Sequence, residues 1–347
     1  MPQRVVNWVR PRRWSILVEA VLAVVLALVS WPTLASNSES AEIELVTDYL
    51  EAVREGDLDE ARSYMADQEG EIDETWLTEE ALSSDWEIES VESRSASTTR
   101  VHVTISSGGE TSESTFSLEG SKDELLISNP YMYLSLPDGP FRSLKLNDRW
   151  SSASEETQDD DGQRLVALFP GSYHVYEGLE GFSGENETSF LALPQSQPVL
   201  LTSLVGDEIA GNTEIEERFN QDLAAWIDLC AESTEAAPEG CPFSAGRYYG
   251  TGVDDGRDEF DEVEDLTWAV DVYPHMRFGS DLLLETVSPG WMTLSGNGTL
   301  YFEETTAPLQ GRCSIEVSSY AVALLDDGRF EFTPTEKLDT TCYRGLT

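Results

Sequence analysis

From Ala41 the apolar residues recur at three- and four-residue steps. Ile43, Leu45, Val46, Tyr49, Leu50 and Val53 fall on one face of a helix. Glu55-Gly56-Asp57 breaks this pattern, and Leu58, Ala61, Tyr64 and Met65 begin a second helical stretch. Past Trp76 the period drops to two. Trp86, Ile88 and (beyond Ser90) Val91 alternate, as do Val101, Val103 and Ile105; Phe116, Leu118 and Leu125 to Ile127 follow. Ser107-Gly108-Gly109 supplies a turn. Two helices followed by a strand meander predict an α+β domain over 41–130.

Tyr131 to Trp150 reads as strand around a Pro137-Asp138-Gly139-Pro140 turn. Residues 151–162 are polar and acidic and predict an exposed loop. "RLVALFPGSYHVYEG" then predicts two strands turning at Pro170-Gly171, so 131–206 reads as a small β module. Gly206 to Asn212 is a polar break. Over Thr213 to Cys230 the apolar residues Ile215, Phe219, Leu223, Trp226, Ile227 and Cys230 form a single helical stripe. Thr213 with Glu216 three residues on matches a capping box, and Glu214, Glu216 and Glu217 suit the positive end of the helix dipole. Leu266, Trp268, Val270 and Val272 alternate, a second run spans Trp291 to Phe302, and hairpin runs flank Asp326-Asp327-Gly328. Residues 207–347 therefore predict a second α+β domain, again helix first and meander after.

The segment before these domains differs in kind. Arg4, Arg10, Arg12 and Arg13 precede an 18-residue run, Trp14 to Trp31, interrupted only by Ser15, Glu19 and Ser30. A run of this length predicts a single membrane helix with its arginines cytoplasmic and the bulk of the chain outside. The competing reading is a cleaved signal, with Thr33 and Ala35 before a cut at Ser36. Arg12-Arg13 opens a twin-arginine pattern, but Ser15 stands where an apolar residue belongs. Residues 1–35 are thus tail and anchor or signal, and Ser36 to Ser40 a linker.

Charge narrows the partners. The 347 residues carry 66 acidic and 21 basic side chains, a formal charge of −45. Four of those arginines and one glutamate belong to residues 1–35, so the remainder is more acidic still. Such a surface excludes nucleic acid as a partner. The four cysteines, Cys230, Cys241, Cys313 and Cys342, all follow the apolar run. An even number in an exported chain reads as two disulfides. Local pairing, Cys230 with Cys241 and Cys313 with Cys342, is favoured over the two other connectivities, with neither pair a redox centre. A zinc site would want a C-x-x-C pair, which is missing.

The stretch "VTDYLEAVREGDLDEARSYM" resembles the opening helices of nuclear-transport-factor-2-like cone domains, the superfamily that includes ketosteroid isomerase. The resemblance covers about 41–130 and implies a curved sheet around a cavity. It also implies that an acid or a Tyr/His–Asp set would be needed inside the cone for catalysis. Tyr49, Tyr64 and His102 are available, but Tyr49 lies on the apolar stripe, and His102 points away from Val101 and Val103. "LKLND" followed by "LFPGSYHV" resembles small β-sandwich modules of bacterial envelope proteins. The "C…CPF" loop before "WAVDVYP" resembles single-pass actinobacterial membrane proteins to which no function is attached.

Catalytic motifs are missing. No phosphate-binding loop and no H-E-x-x-H occur, and "GFSGE" lacks the last glycine of a nucleophile elbow. His102, His174 and His275 fall in three different predicted domains. Asp159, Asp160 and Asp161, and the run 252–265, are calcium candidates that read better as solvated loops. Asp271 and His275 could form a dyad, but Pro274 between them favours a turn. Asn186-Glu187-Thr188 and Asn297-Gly298-Thr299 match glycosylation acceptors and mark loops. The expectation is a non-enzymatic, extracytoplasmic envelope protein with no cofactor, metal or catalytic residue. It is single-pass through residues 14–31, or secreted after cleavage. Its role would be binding or scaffolding, with a protein partner or a small apolar ligand. The alternative is a cone-fold isomerase or hydrolase acting on a small apolar substrate.

Overall fold

The computed structural model describes residues 40–68, 72–93, 99–121, 124–153, 164–179, 182, 188–245, 260–300, 305–318, 320–334 and 341–343. Its class is α+β with strands predominating. The apolar run 14–31 lies outside the described residues, and no described helix is long and apolar enough to cross a membrane.

Helix α1 (Ala41–Glu55) ends at Gly56, whose φ of 78° lets its N–H reach the carbonyls of Ala52 and Val53. Asp57 then caps α2 (Leu58–Ser63) by accepting from Glu60 N. Strands β1 (Glu87–Glu92), β2 (Arg100–Ser107), β3 (Glu110–Ser121) and β4 (Glu124–Ile127) form an antiparallel meander in the order β1-β2-β3-β4. Val46, Tyr49, Leu50 and Val53 of α1 pack on Val101, Val103, Ile105, Phe116 and Ile127. Ala167, Phe169 and Leu193 complete this core from beyond residue 130.

Next come β5 (Met132–Leu136), β6 (Ser143–Leu146), β7 (Arg149–Ser152), β8 (Arg164–Leu168), β9 (Gly171–His174), β10 (Ser189–Ala192) and β11 (Val199–Leu200). The strands on either side of Pro170-Gly171 exist but do not form the predicted hairpin. β8 pairs with β5, which also pairs with β11, whereas β9 pairs with β10. The chain changes sheets here because neighbouring residues serve different cores: Phe169 packs with the α1 cluster, Leu168 and Tyr173 with the second cluster.

The polar break foreseen at Gly206 to Asn212 is instead the end of helix α3 (Leu201–Gly211), which buries Leu201, Val205 and Ile209. Gly206 permits the close approach of Ser280: a Cβ there would stand 2.1 Å from the Ser280 carbonyl oxygen. Helix α4 (Thr213–Ala231) is capped by Asn212, not Thr213. The Asn212 Oδ1 accepts from Glu214 N at 2.9 Å and Ile215 N at 3.2 Å, which makes Thr213 the first helical residue.

Strands β12 (Phe260–Val272), β13 (His275–Phe278), β14 (Leu284–Ser288), β15 (Gly290–Leu300), β16 (Thr306–Ile315), β17 (Tyr320–Leu324), β18 (Phe330–Pro334) and β19 (Cys342–Tyr343) follow. The main sheet is ordered β12-β15-β16-β19, with β13–β14 and β17–β18 as separate hairpins. The alternation of Leu266, Trp268 and Val270 does not extend to Val272, which is exposed. Between Val270↔Met292 and Val272↔Trp291 the register shifts by one residue, so Asp271 is a bulge and Val272 changes face.

Residues from 131–206 and from 207–347 share one apolar cluster, in which Phe141, Phe219, Phe278 and Phe330 meet. Two disulfides are formed, Cys230–Cys241 and Cys313–Cys342, separated by 11 and 29 residues. No described cysteine is free. In the chain-entropy model loops of this size contribute roughly 3 to 4 kcal/mol each.

Asn147 ties the 72–86 segment to the strands after it. Its Nδ2 donates to the carbonyls of Ala81 (2.8 Å) and Ser172 (3.2 Å), and its Oδ1 accepts from His174 N (2.9 Å). It is buried and left-handed, with φ 51°. Asn147→Ala leaves those three backbone groups without their partner and places a Cβ-bearing residue in αL without a local hydrogen bond. We expect a loss of about 3 kcal/mol in urea unfolding. Asn147→Gly removes the backbone strain but not the lost bonds, and is expected to fall between the two. A variant as stable as the parent would contradict this assignment.

Candidate functional site

An open cleft of about 720 Å³ lies beside the first sheet. Three elements build it. The last turn of α1 brings Arg54, whose charge suits the negative end of that helix. The approach to β1 brings Asp85, Trp86, Glu87 and Glu89. The β2–β3 hairpin brings Ser106, Ser107 and the turn Gly108-Gly109. Both turn glycines have positive φ, 58° and 91°, the pairing that a two-residue hairpin with strand-matched twist requires.

Trp86 is the apolar wall, buried and held by Nε1 donating to Ser83 O at 2.9 Å. Ser106 Oγ donates to Glu89 Oε1 at 2.5 Å, and Ser107 Oγ donates to the Asp85 carbonyl. These bonds fix the hairpin against β1, where Glu87 and Ser106 are register partners. The lining thus offers carboxylates, hydroxyls and one guanidinium, and no histidine, cysteine or tyrosine. That set can hold polar or cationic groups; it has no histidine to serve as base to a hydroxyl.

The residues singled out from sequence do not converge. Tyr49 is fully buried in the α1 core, with its hydroxyl donating to Pro130 O at 2.7 Å and its ring edge-on to Phe116. Tyr64 donates to Glu60 Oε1 at the surface. His102 lies on β2 between buried Val101 and Val103, and its Nδ1 meets Thr115 Oγ1 of β3 at 3.0 Å. Asp271 accepts from Thr293 Oγ1, while His275 Nε2 meets Glu216 Oε1 at 2.7 Å, so the two form no dyad. Asn297 sits within β15 and not in a loop. Asp159, Asp160, Asp161, Asn186 and residues 252–259 lie outside the described residues. Among the described residues no three His, Cys, Asp or Glu side chains are grouped as metal ligands.

The cleft was not foreseen from sequence. Asp85, Glu87 and Glu89 do stand at period two, the spacing of one strand face, and the Gly108-Gly109 turn was visible. What placed Arg54 opposite them was the packing of α1 on the sheet. Comparison with family models, with curated proteins and with solved structures gave no match.

Buried hydroxyls give the fold a pH signature. Burial holds Tyr49, Tyr173 and Tyr176 well above the ordinary tyrosine range and pushes Tyr131 and Tyr320 up to about 12. The folded state therefore keeps protons that the unfolded chain releases near pH 10. The stability from these groups is complete below about pH 10 and is lost as pH rises from there through about 12. We expect phenolate absorbance of these tyrosines to emerge together with loss of near-ultraviolet circular dichroism. All 12 tyrosines ionising near pH 10 in a folded chain would contradict their burial.

Proposed function

We propose that the chain is a non-enzymatic, extracytoplasmic protein of the cell envelope whose role is binding or scaffolding. On this reading residues 14–31 are its membrane anchor and the disulfide-bonded α+β bulk lies outside. The observation that carries it is the pairing of all four cysteines into two disulfides. Such bonds form and persist in oxidising compartments, and they are rare where glutathione keeps thiols reduced. The orientation fits the arginines ahead of the apolar run.

The first unit supports a surface role. Two helices on a four-stranded meander suit the cone-like resemblance, yet its interior is occupied by Tyr49, Leu50, Ile105, Phe116 and Ile127, all fully buried. A filled interior favours contact through outer surfaces over capture of a small apolar molecule. The cleft around Arg54 and Glu89 is the polar surface this reading favours.

Fractionation of expressing cells tests it, combined with external protease and thiol labelling before and after reduction. The expected result is membrane-associated chain, trimmed by external protease to a short protected fragment, with thiols that label only after reduction. Recovery of the whole chain in the cytosolic fraction with four reactive thiols would overturn the proposal.

A further inference from the structure

The cleft beside the first sheet holds charges of both signs that the fold does not neutralise. Its charged lining residues are Arg54, Asp85, Glu87 and Glu89, one guanidinium against three carboxylates around the same 720 Å³. Among the described residues Arg54 forms no ion pair with any of them. Arginines elsewhere in the chain do meet their neighbours, Arg277 with Glu285 at 2.8 Å and Arg329 with Asp327 at 2.7 Å. Arg54 is held off because it stands on the last turn of α1, while the carboxylates stand on β1 and the residues leading into it.

Strand β1 is bulged at this cleft. Glu87 pairs with Ser106 and Ile88 with Ile105, but Ser90 pairs with Thr104, so Glu89 is the extra residue. Ser90 Oγ donates to Thr104 Oγ1 at 3.3 Å, and Glu89 Oε1 accepts from Ser106 Oγ. Two successive side chains of β1 therefore reach the same face of β2. Ser106 fixes one oxygen of Glu89, and the other remains for a ligand. Asp85 is fixed through its backbone, where its carbonyl accepts from Ser107 Oγ. Its carboxylate and that of Glu87 are exposed. At Gly108 and Gly109 a Cβ would meet nothing within 4 Å, so this rim of the cleft is open.

A molecule that satisfies these groups needs a carboxylate for Arg54 and ammonium groups for the opposite wall. Guanidinium matches carboxylate bidentately, and each contact is charge-assisted. Three carboxylates to one guanidinium favour two ammonium groups over one. We propose that the cleft binds a small diamino monocarboxylic acid, a molecule of the lysine type. Trp86 gives its methylene stem an apolar wall. A bare divalent cation fits less well, because Arg54 lines the same space and repels it. The proposal rests on the binding role argued above and names the ligand class of the cleft that this role favours.

Titration calorimetry on the full chain in phosphatidylcholine nanodiscs, with empty nanodiscs as blank, compares L-lysine with two relatives. Cadaverine lacks the carboxylate, and 6-aminohexanoate lacks the α-ammonium. Each is expected to bind about tenfold more weakly than lysine, the effect of one charge-assisted contact. Arg54→Gln is expected to weaken lysine about tenfold and to leave cadaverine as it was, so the preference for lysine disappears. Arg54→Lys, which keeps the charge, is expected to retain that preference. Glu87→Gln is expected to weaken both lysine and cadaverine, Glu124→Gln on β4 neither, and added salt all three ligands. Overturning results are lack of lysine binding, or equal affinity of the parent for lysine and cadaverine. Equal weakening of both ligands by Arg54→Gln, with near-ultraviolet circular dichroism unchanged, would make Arg54 a structural residue and also overturn the proposal. Fractionation and thiol labelling use no ligand, so the two readings fail separately.

Discussion

The ring of Phe278 is where the later two-thirds of the chain is held together. It packs edge-on against Phe141 (4.8 Å between centroids) and Phe219 (5.3 Å), and tilted against Phe330 (5.8 Å). Those partners come from the turn before β6, the middle of α4 and the start of β18. Aromatic pairs of this kind add to the area they bury, and here they connect elements far apart in sequence. Phe278 can stand there because Asn220 of α4 grips the strand beside it. Its Oδ1 accepts from Met276 N at 2.9 Å and its Nδ2 donates to Met276 O at 2.8 Å. The backbone polar groups of an isolated hairpin edge are thus paired to a helix, and the apolar face of the hairpin goes inward.

What was legible in the sequence is what local pattern determines. The stripe from Ile215 to Cys230, the alternation of Val101, Val103 and Ile105, and the glycine turn at 108–109 each encode one element. The pairing of nearby cysteines was legible for the same reason, since short loops return with little entropy. Several features were not. Asn212 outcompeted Thr213 as cap because either side chain can accept from the first turn, and backbone geometry decides between neighbours. Gly206 to Asn212 looked like a break because Gly206 and the polar residues after it weaken helix propensity, while burial of Leu201, Val205 and Ile209 carries the helix through to Gly211. Val272 looked like core because alternation carries no warning of a bulge. The cleft was hidden more deeply: its carboxylates were visible at period two, but Arg54 reaches them only through tertiary packing.

The acidity is distributed so that folding tolerates it. Glu42 and Glu44 open α1, Asp59 and Glu60 open α2, and Glu214 and Glu216 open α4, each at the positive end of its helix dipole. Arg164 meets Asp138, Arg277 meets Glu285 and Arg329 meets Asp327, each pair with at least one partner well exposed and therefore of small stabilising effect. Of the charged side chains among the described residues only Glu42 and Asp73 are buried. The cores are left to apolar groups and hydroxyls that find backbone carbonyls, as Tyr49 finds Pro130, Tyr173 finds Phe169 and Tyr176 finds Ser143. The net charge then acts on encounters with other molecules and has little bearing on which fold forms.

The Cys230–Cys241 bond links this interior to the surface. Cys230 is buried and is the penultimate residue of α4, immediately after exposed Leu229. The last turn of a helix lacks onward hydrogen bonds and frays unless something holds it. Here the crosslink holds it from one side. Trp268 adds a second hold, its Nε1 donating to Glu235 O in the loop that the disulfide closes. Tyr273 adds a third through Asp228. An apolar side chain displayed from a fixed helix end loses less freedom on contact than one displayed from a frayed end, and so retains more of its burial energy in binding. On the proposed localisation, an oxidising compartment would keep the disulfide intact and with it this held helix end.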